Sequence, residues 1–297
     1  MIRVGTDCSG IEAPIQALIQ LKIPFKHKFS CEINPYCVES ILENYDPEIL
    51  FPDMTTRKIK EVPDIDLYVC GFPCQSFSMA GLREGTNDPR GTIFWQCLKV
   101  IKNKLPKVFI LENVKGLLSI NEGKTFKNII KSLEDIEEYE VYWNVLNTKD
   151  YGIPQNRERV FIVGIREDQD IDFEWPKKKK MKDVRDYVDW NDNEKDKLTL
   201  RQKKCMKTLP KESVMVDVNF ICLNKYPNSD LYSPCINTAG GLWCVPEHRK
   251  ANIKEHLRLQ GFPEKFKQIV SNTQLKRQIG NSMSVNVLKE LFKCIYN

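Results

Sequence analysis

The chain has 297 residues, 41% of them hydrophobic, with 45 Lys/Arg against 40 Asp/Glu and a formal charge of +5. That length gives one large core with room for a smaller lobe, and no apolar run approaches the ~20 residues that span a bilayer. The eleven cysteines include no Cys-x-x-Cys pair and no Cys/His cluster at metal-ligand spacing, so reduced thiols acting as small core hydrophobes are expected, with no metal.

In chain order, strand-like and helix-like segments alternate at 2–6, 13–21, 25–32, 36–44, 67–71, 93–103, 108–112, 126–133, 139–146 and 160–165. This rhythm predicts an α/β fold built on a doubly wound, mostly parallel sheet. Because Ile2-Arg3-Val4-Gly5 already reads as a strand, no secretory leader is expected and the setting is read as cytoplasmic.

The first strand runs into Asp7-Cys8-Ser9-Gly10-Ile11-Glu12-Ala13 and an apolar helix, and Glu32 closes the second strand. A small-residue turn lets a ligand approach the backbone, and a carboxylate about 20 residues on accepts from ribose hydroxyls. With one glycine, and with Glu12 opposing a phosphate, the turn suits a nucleoside without phosphate better than a dinucleotide. Asp53 in Phe51-Pro52-Asp53-Met54 falls where a third strand would end, and a turn aspartate after proline is the plain alternative.

The fourth strand, Leu67-Tyr68-Val69-Cys70, ends in Gly71-Phe72-Pro73-Cys74-Gln75-Ser76-Phe77-Ser78, which delivers Cys74 to the edge where open α/β sheets bind ligands. Pro73 stiffens that turn, whereas Cys70 reads as a core thiol. The next apolar strand, Val108-Phe109-Ile110, brings Leu111-Glu112-Asn113-Val114 to the same edge, and Gln155-Asn156-Arg157-Glu158-Arg159 precedes the last strand. Residues 1–165 carry 20 Lys/Arg against 22 Asp/Glu, and residues 166–297 carry 25 against 18, so a near-neutral half is joined to a half of charge +7. That asymmetry suits a polyanionic substrate, although the run Lys177-Lys178-Lys179-Lys180 alone reads as a solvated face. From Arg166 to about Tyr232, Lys, Asp and Asn dominate and periodicity is poor. Helical patterns resume at 251–260 and 284–296.

Taken together, these segments resemble the cytosine-5 DNA methyltransferase family over nearly the whole chain, in the stand-alone form of bacteria, phages and viruses. The resemblance implies a Rossmann-like methyltransferase domain at 1–165 plus 248–297 and a small target-recognition region at 166–247. It implies S-adenosylmethionine as cofactor, held by Cys8, Ser9, Gly10, Ile11, Glu32, Ile33, Asp53, Met54, Gly71, Pro73, Asn281, Ser282 and Met283. The last three lie in Gln278-Ile279-Gly280-Asn281-Ser282-Met283-Ser284-Val285, where Asn281-Ser282 would otherwise read as a helix N-cap. The catalytic set implied is Cys74 as nucleophile, Glu112 toward ring nitrogen 3, and Arg159 toward the carbonyl oxygen, with Arg157 supporting or facing phosphate. Two departures from the family pattern stand out: Cys8 replaces a usual aromatic and Glu12 a common glycine.

Double-stranded DNA is the partner so implied, with the cytosine swung out of the helix. Gln75, Ser78, Arg83 and Arg90 would meet it from a lid at 79–91, and Asn228, Gly240 and Gly241 from recognition loops at 224–230 and 237–243. Trp243 and Tyr226 read equally as the core of the small lobe. A restriction endonuclease partner is compatible with this type, and a monomer is expected because no heptad pattern is present. The rival readings are a tRNA cytosine methyltransferase of the same fold, a catalytically silent DNA-binding relative, and a dinucleotide oxidoreductase.

Overall fold

Strands β1 (Ile2–Asp7), β2 (Phe25–Cys31), β3 (Ile49–Phe51), β4 (Leu67–Cys70), β5 (Val108–Val114), β6 (Tyr139–Asn147) and β7 (Glu158–Arg166) form one sheet in the order β3-β2-β1-β4-β5-β7-β6. The computed structural model describes residues 1–73, 93–190, 192, 196–219 and 230–296. β1 to β5 are parallel to one another, whereas β7 runs antiparallel to β5. The chain winds outward from β1 to β3, then returns to place β4 on the other flank of β1. Adjacent β1 and β4 therefore mark the topological switch point, where such sheets leave a crevice at their carboxyl ends.

Helices α1 (Ala13–Leu21), α2 (Pro35–Asn44), α3 (Ile93–Lys104) and α4 (Lys124–Glu134) supply the crossovers. α3 and α4 bury Phe94, Ile101, Ile129 and Leu133 in one cluster with Tyr68, Phe109 and Leu111 of the sheet. Two glycines in the sheet are required by close approach. Gly5 pairs with Phe29 and Gly164 with Phe109, and a Cβ on either would stand about 2 Å from the partner's ring, at 2.1 Å and 2.0 Å. The rings lie flat across the neighbouring strand, which only glycine permits.

The contacts divide the chain into two compact units, 1–146 with 158–176 and 291–297, and 147–157 with 177–290. This differs from the division drawn from sequence, which returned everything beyond 248 to the first domain. In the second unit lie α5 (Leu200–Met206), a small sheet of β8 (Met215–Asp217), β9 (Leu242–Cys244) and β10 (Arg249–Lys250), and helices α6 (Ile253–Gln260) and α7 (Asn272–Asn281). The cause is apolar: Ala251 and Leu259 share one buried cluster with Val214, Met215 and Leu242. Arg249, 1% exposed, adds a two-pronged bond to Glu255 on α6 at 2.7 and 2.8 Å. Only the end of α8 (Val285–Tyr296) belongs to the first unit. Among the described residues no helix is long and apolar enough to cross a membrane.

Candidate active site

At the switch point, the turn after β1 is knitted to the ends of β2 and β3. Ser9 N donates to Cys31 O at 3.1 Å, Cys31 N donates back to Ser9 Oγ at 2.9 Å, and Glu32 N donates to Phe51 O at 3.1 Å. Glu32 stands at the strand end with Oε2 accepting from Gly10 N at 2.8 Å and Oε1 from Asn34 N at 2.9 Å. Burial pushes its carboxyl up from the ordinary value, and the N–H groups of Asn34 and Gly10 oppose that only in part. Gly10 has φ +58° and open space where a side chain would stand, Ile33 is 75% exposed, and Cys8 Sγ lies 4.0 Å from Met54 Sδ. Asp53 Oδ1 accepts from Thr55 N and Oγ1.

Two residues expected at the cofactor are buried in the protein. Ile11 is wholly buried, and its side chain anchors the turn in the core. Ser9 is likewise nearly buried, its hydroxyl taken up with Thr6 and Cys31, and acts by holding the turn. Glu12 also turns inward. It is 0% exposed, and its Oε1 accepts from Thr6 Oγ1 and Ser30 Oγ, both at 2.6 Å. Its φ of +59° suits glycine, and the two hydroxyl bonds explain how a glutamate holds the position.

The cradle fits S-adenosylmethionine. Its open floor over Gly10 admits a ligand against the backbone, its carboxylates suit ribose hydroxyls and an adenine amino group, and Ile33 offers an apolar face. The turn 7–13 contains no Lys or Arg to meet a phosphate.

The second part of the site lies at the carboxyl ends of β4, β5 and β7. Parallel pairing of Cys70 with Leu111 sets Gly71 abreast of Glu112. Antiparallel pairing of Val114 with Arg159 and Glu112 with Phe161 makes Glu112 and Arg159 diagonal neighbours on one face. Arg159 Nε lies 3.2 Å from Glu112 Oε1, with the side chains 16% and 10% exposed. Asn113, which the sequence reading passed over, donates from Nδ2 to Phe72 O at 2.8 Å. Phe72 is buried against Phe94, so the chain leaves the sheet toward Cys74 from a point fixed on both sides. A buried amide directly after the strand carboxylate was the available signal. Cys74, Gln75, Ser78, Arg83, Arg90 and Asn228 lie outside the described residues.

In the second unit Arg157, expected to support the site or to face phosphate, is committed to backbone carbonyls. It is 2% exposed and donates to Ile236 O (2.9 Å), Ser282 O (2.7 Å) and Gly280 O (3.2 Å). A guanidinium so committed is a brace. It ties Gln155-Asn156-Arg157 to Asn281-Ser282-Met283, where Asn281 ends α7 and Ser282 caps it at the C-terminal side; the N-cap alternative for Asn281-Ser282 does not hold. Gly241 is a packing glycine, since a Cβ there would stand 2.1 Å from Asp217 Oδ1, whereas Gly240, at φ +64°, has open space. Trp243 is 1% exposed and packs with Val216 and Val218, as the core reading has it.

A phosphate-free nucleoside cradle at the switch point, beside strand ends bearing a carboxylate and a guanidinium, is the arrangement of an S-adenosylmethionine-dependent methyltransferase with a Rossmann-like fold. Residues 7–297 match the family model of the C-5 cytosine-specific DNA methylase. Type II methyltransferase M.SsoII of Shigella sonnei is 36% identical over 277 residues, covering 89% of this chain and 72% of that one. Type II methyltransferase M.HaeII of Haemophilus aegyptius is 36% identical over 280 residues, covering 92% and 86%. The crystal structure of S. pombe Dnmt2 methyltransferase shares the fold with TM-score 0.67 at 23% identity, covering 98% of this chain and 97% of that one. The chain belongs to the C-5 cytosine-specific DNA methylase family. It is a DNA (cytosine-5-)methyltransferase whose methyl donor is S-adenosylmethionine.

Proposed function

We propose that the enzyme methylates a cytosine swung out of duplex DNA and attacks it covalently through Cys74. Carbon 5 of cytosine is a poor nucleophile, so a thiolate must first add to carbon 6. The Cys74 sulfur forms the new bond, and the displaced electron pair moves onto the ring toward nitrogen 3 and the carbonyl oxygen. Glu112 lends a proton to nitrogen 3, recovering it when the thiolate leaves, and accepts from the amino group, while Arg159 meets the carbonyl oxygen. The same guanidinium favours Cys74 as thiolate. S-adenosylmethionine, when bound, supplies the electrophilic methyl group for carbon 5. Departure of the carbon 5 proton to water then breaks the carbon–sulfur bond and frees the thiol.

The observation that carries this reading is the Glu112–Arg159 pair set abreast of Gly71, three residues before Cys74. In the same reading Asn281, Ser282 and Met283 close over the cofactor's methionine end and the second unit recognises the target, with Asn228 and Gly240 at its loops. The Type II relatives favour a restriction endonuclease partner; a cytoplasmic monomer completes the proposal.

The test is incubation with labelled S-adenosylmethionine and either mixed duplex DNA or tRNA. Label is expected in 5-methylcytosine of DNA, absent with Cys74→Ser while cofactor binding persists; label confined to tRNA would transfer the reading to the RNA rival. Bisulfite sequencing then gives the site.

A further inference from the structure

Arg57 lies in the connection from β3 to β4, outside every residue set assigned above, yet its guanidinium is buried beneath the cofactor cradle. Its side chain is 4% exposed and that of Asp7, at the end of β1, 0%. Nη1 donates to Asp7 Oδ1 at 2.7 Å and Nη2 to Asp7 Oδ2 at 2.5 Å, and Tyr68 Oη on β4 donates to the same Oδ2 at 2.6 Å. The guanidinium also stands 5.0 Å from the ring centres of both Phe29 and Phe51. Gly5 makes this platform possible by letting the Phe29 ring lie across β1.

The turn that carries Arg57 is the one that carries Asp53 and Met54. Asp53 O accepts from Arg57 N at 3.3 Å, and Asp53 Oδ1 accepts from Thr55. Two consecutive residues of the first turn therefore grip two residues of this one: Asp7 holds Arg57, and Cys8 meets Met54 at 4.0 Å. A planar two-pronged pair fixes orientation as well as distance. β3 is only three residues long and is held by its pairing with β2 and by Phe51 packed edge-on against Phe29, and the Asp7–Arg57 pair adds a directional constraint on the loop that follows.

We infer that Arg57, through its pair with Asp7, is a positioning residue that sets Asp53 and Met54 for the nucleoside end of the cofactor. This rests on the S-adenosylmethionine cradle and adds to it a residue that touches no ligand. The pair acts on cofactor affinity and leaves the chemical step alone.

The test is calorimetric titration of S-adenosylmethionine into the wild type, Arg57→Met, Arg57→Lys, Asp7→Asn and the Asp7→Asn/Arg57→Met double variant, with steady-state kinetics and melting curves beside it. Expected are a rise in Kd and in KM for the cofactor of about 10-fold or more for each single variant, with kcat and KM for DNA changed by less than about threefold. The double variant is expected to be no weaker than either single one, because both remove the same constraint. Should the charge-deleting variants fail to fold, the apolar triple Asp7→Leu/Tyr68→Phe/Arg57→Met keeps the volume without a buried charge, a replacement that cores commonly accept. Its folded form is still expected to bind the cofactor about 10-fold more weakly. Wild-type cofactor affinity in any folded variant, with only the melting temperature lowered, would overturn the inference. A wild type that itself failed to bind S-adenosylmethionine would instead break the cradle reading.

Discussion

Arg159 Nε and Glu112 Oε1 lie 3.2 Å apart across the antiparallel β5–β7 ladder. The reversal of β7 is what makes this contact possible: it brings the beginning of one strand beside the end of the other. An antiparallel strand thus places its entering arginine at the active edge, where a parallel one would place its last residues. Arg159→Ala is expected to lower kcat by about 100- to 1000-fold, the scale for removing a donor aimed at developing negative charge. Glu112→Gln is expected to fall within about 100- to 10,000-fold, as for loss of a proton-handling group. Cofactor affinity, read by calorimetry, should be near wild type in both.

The role proposed for Glu32 at the cofactor ribose predicts an acid limit to cofactor binding. Its carboxyl titrates above the ordinary glutamate value because it is buried, and ribose hydroxyls need the ionised form as acceptor. Affinity for S-adenosylmethionine is therefore expected to fall with decreasing pH, starting higher than a free glutamate would allow. A Kd-against-pH series checks this, with Glu32→Gln giving weaker binding and a flat acid limb.

His256 gives the fold a different pH dependence. It is buried, with Nδ1 2.7 Å from Asn252 O, and burial with the nearby Lys276 lowers its pKa from 6.5 to about 4. The unfolded chain takes up a proton near the ordinary value while the folded one does not. Stability is complete above pH 6.5 and is lost as pH falls from there toward about 4. Urea unfolding between these limits should show that slope in the wild type and a shallower one in His256→Gln.

Gly164→Ala places a methyl 2.0 Å from the Phe109 ring across the β5–β7 pairing. The overpacking is expected to cost about 1–3 kcal/mol, seen as a lowered denaturation midpoint. Gly164→Ala/Phe109→Leu should recover part of that loss, since the smaller side chain leaves room for the Cβ.

Much of the sheet was legible because buried parallel strands are apolar runs and their crossover helices are amphipathic. α1, for example, has the bounds the sequence suggests, Ala13–Leu21. The direction of β7 was not legible, since an apolar run such as Val160-Phe161-Ile162-Val163 reads alike in either orientation. β8, β9 and β10, with three, three and two residues, are too short to show a period. Glu32 and Glu112 stood out because each sits beside a strand end, and Arg159 because its motif resembles that of the family. Arg57 did not, because its partner Asp7 is fifty positions away and nothing local to either marks the pair. Glu12 misled for a related reason: its hydroxyl partners, Thr6 and Ser30, come from two strands.

The covalent role of Cys74 is tested most directly with a duplex oligonucleotide carrying 5-fluorocytosine at the target position, supplied with S-adenosylmethionine and resolved under denaturing conditions. A protein–DNA adduct that survives denaturation, and that Cys74→Ala cannot form, is the predicted result. Normal methylation of the unfluorinated duplex without any such adduct through Cys74 would contradict it.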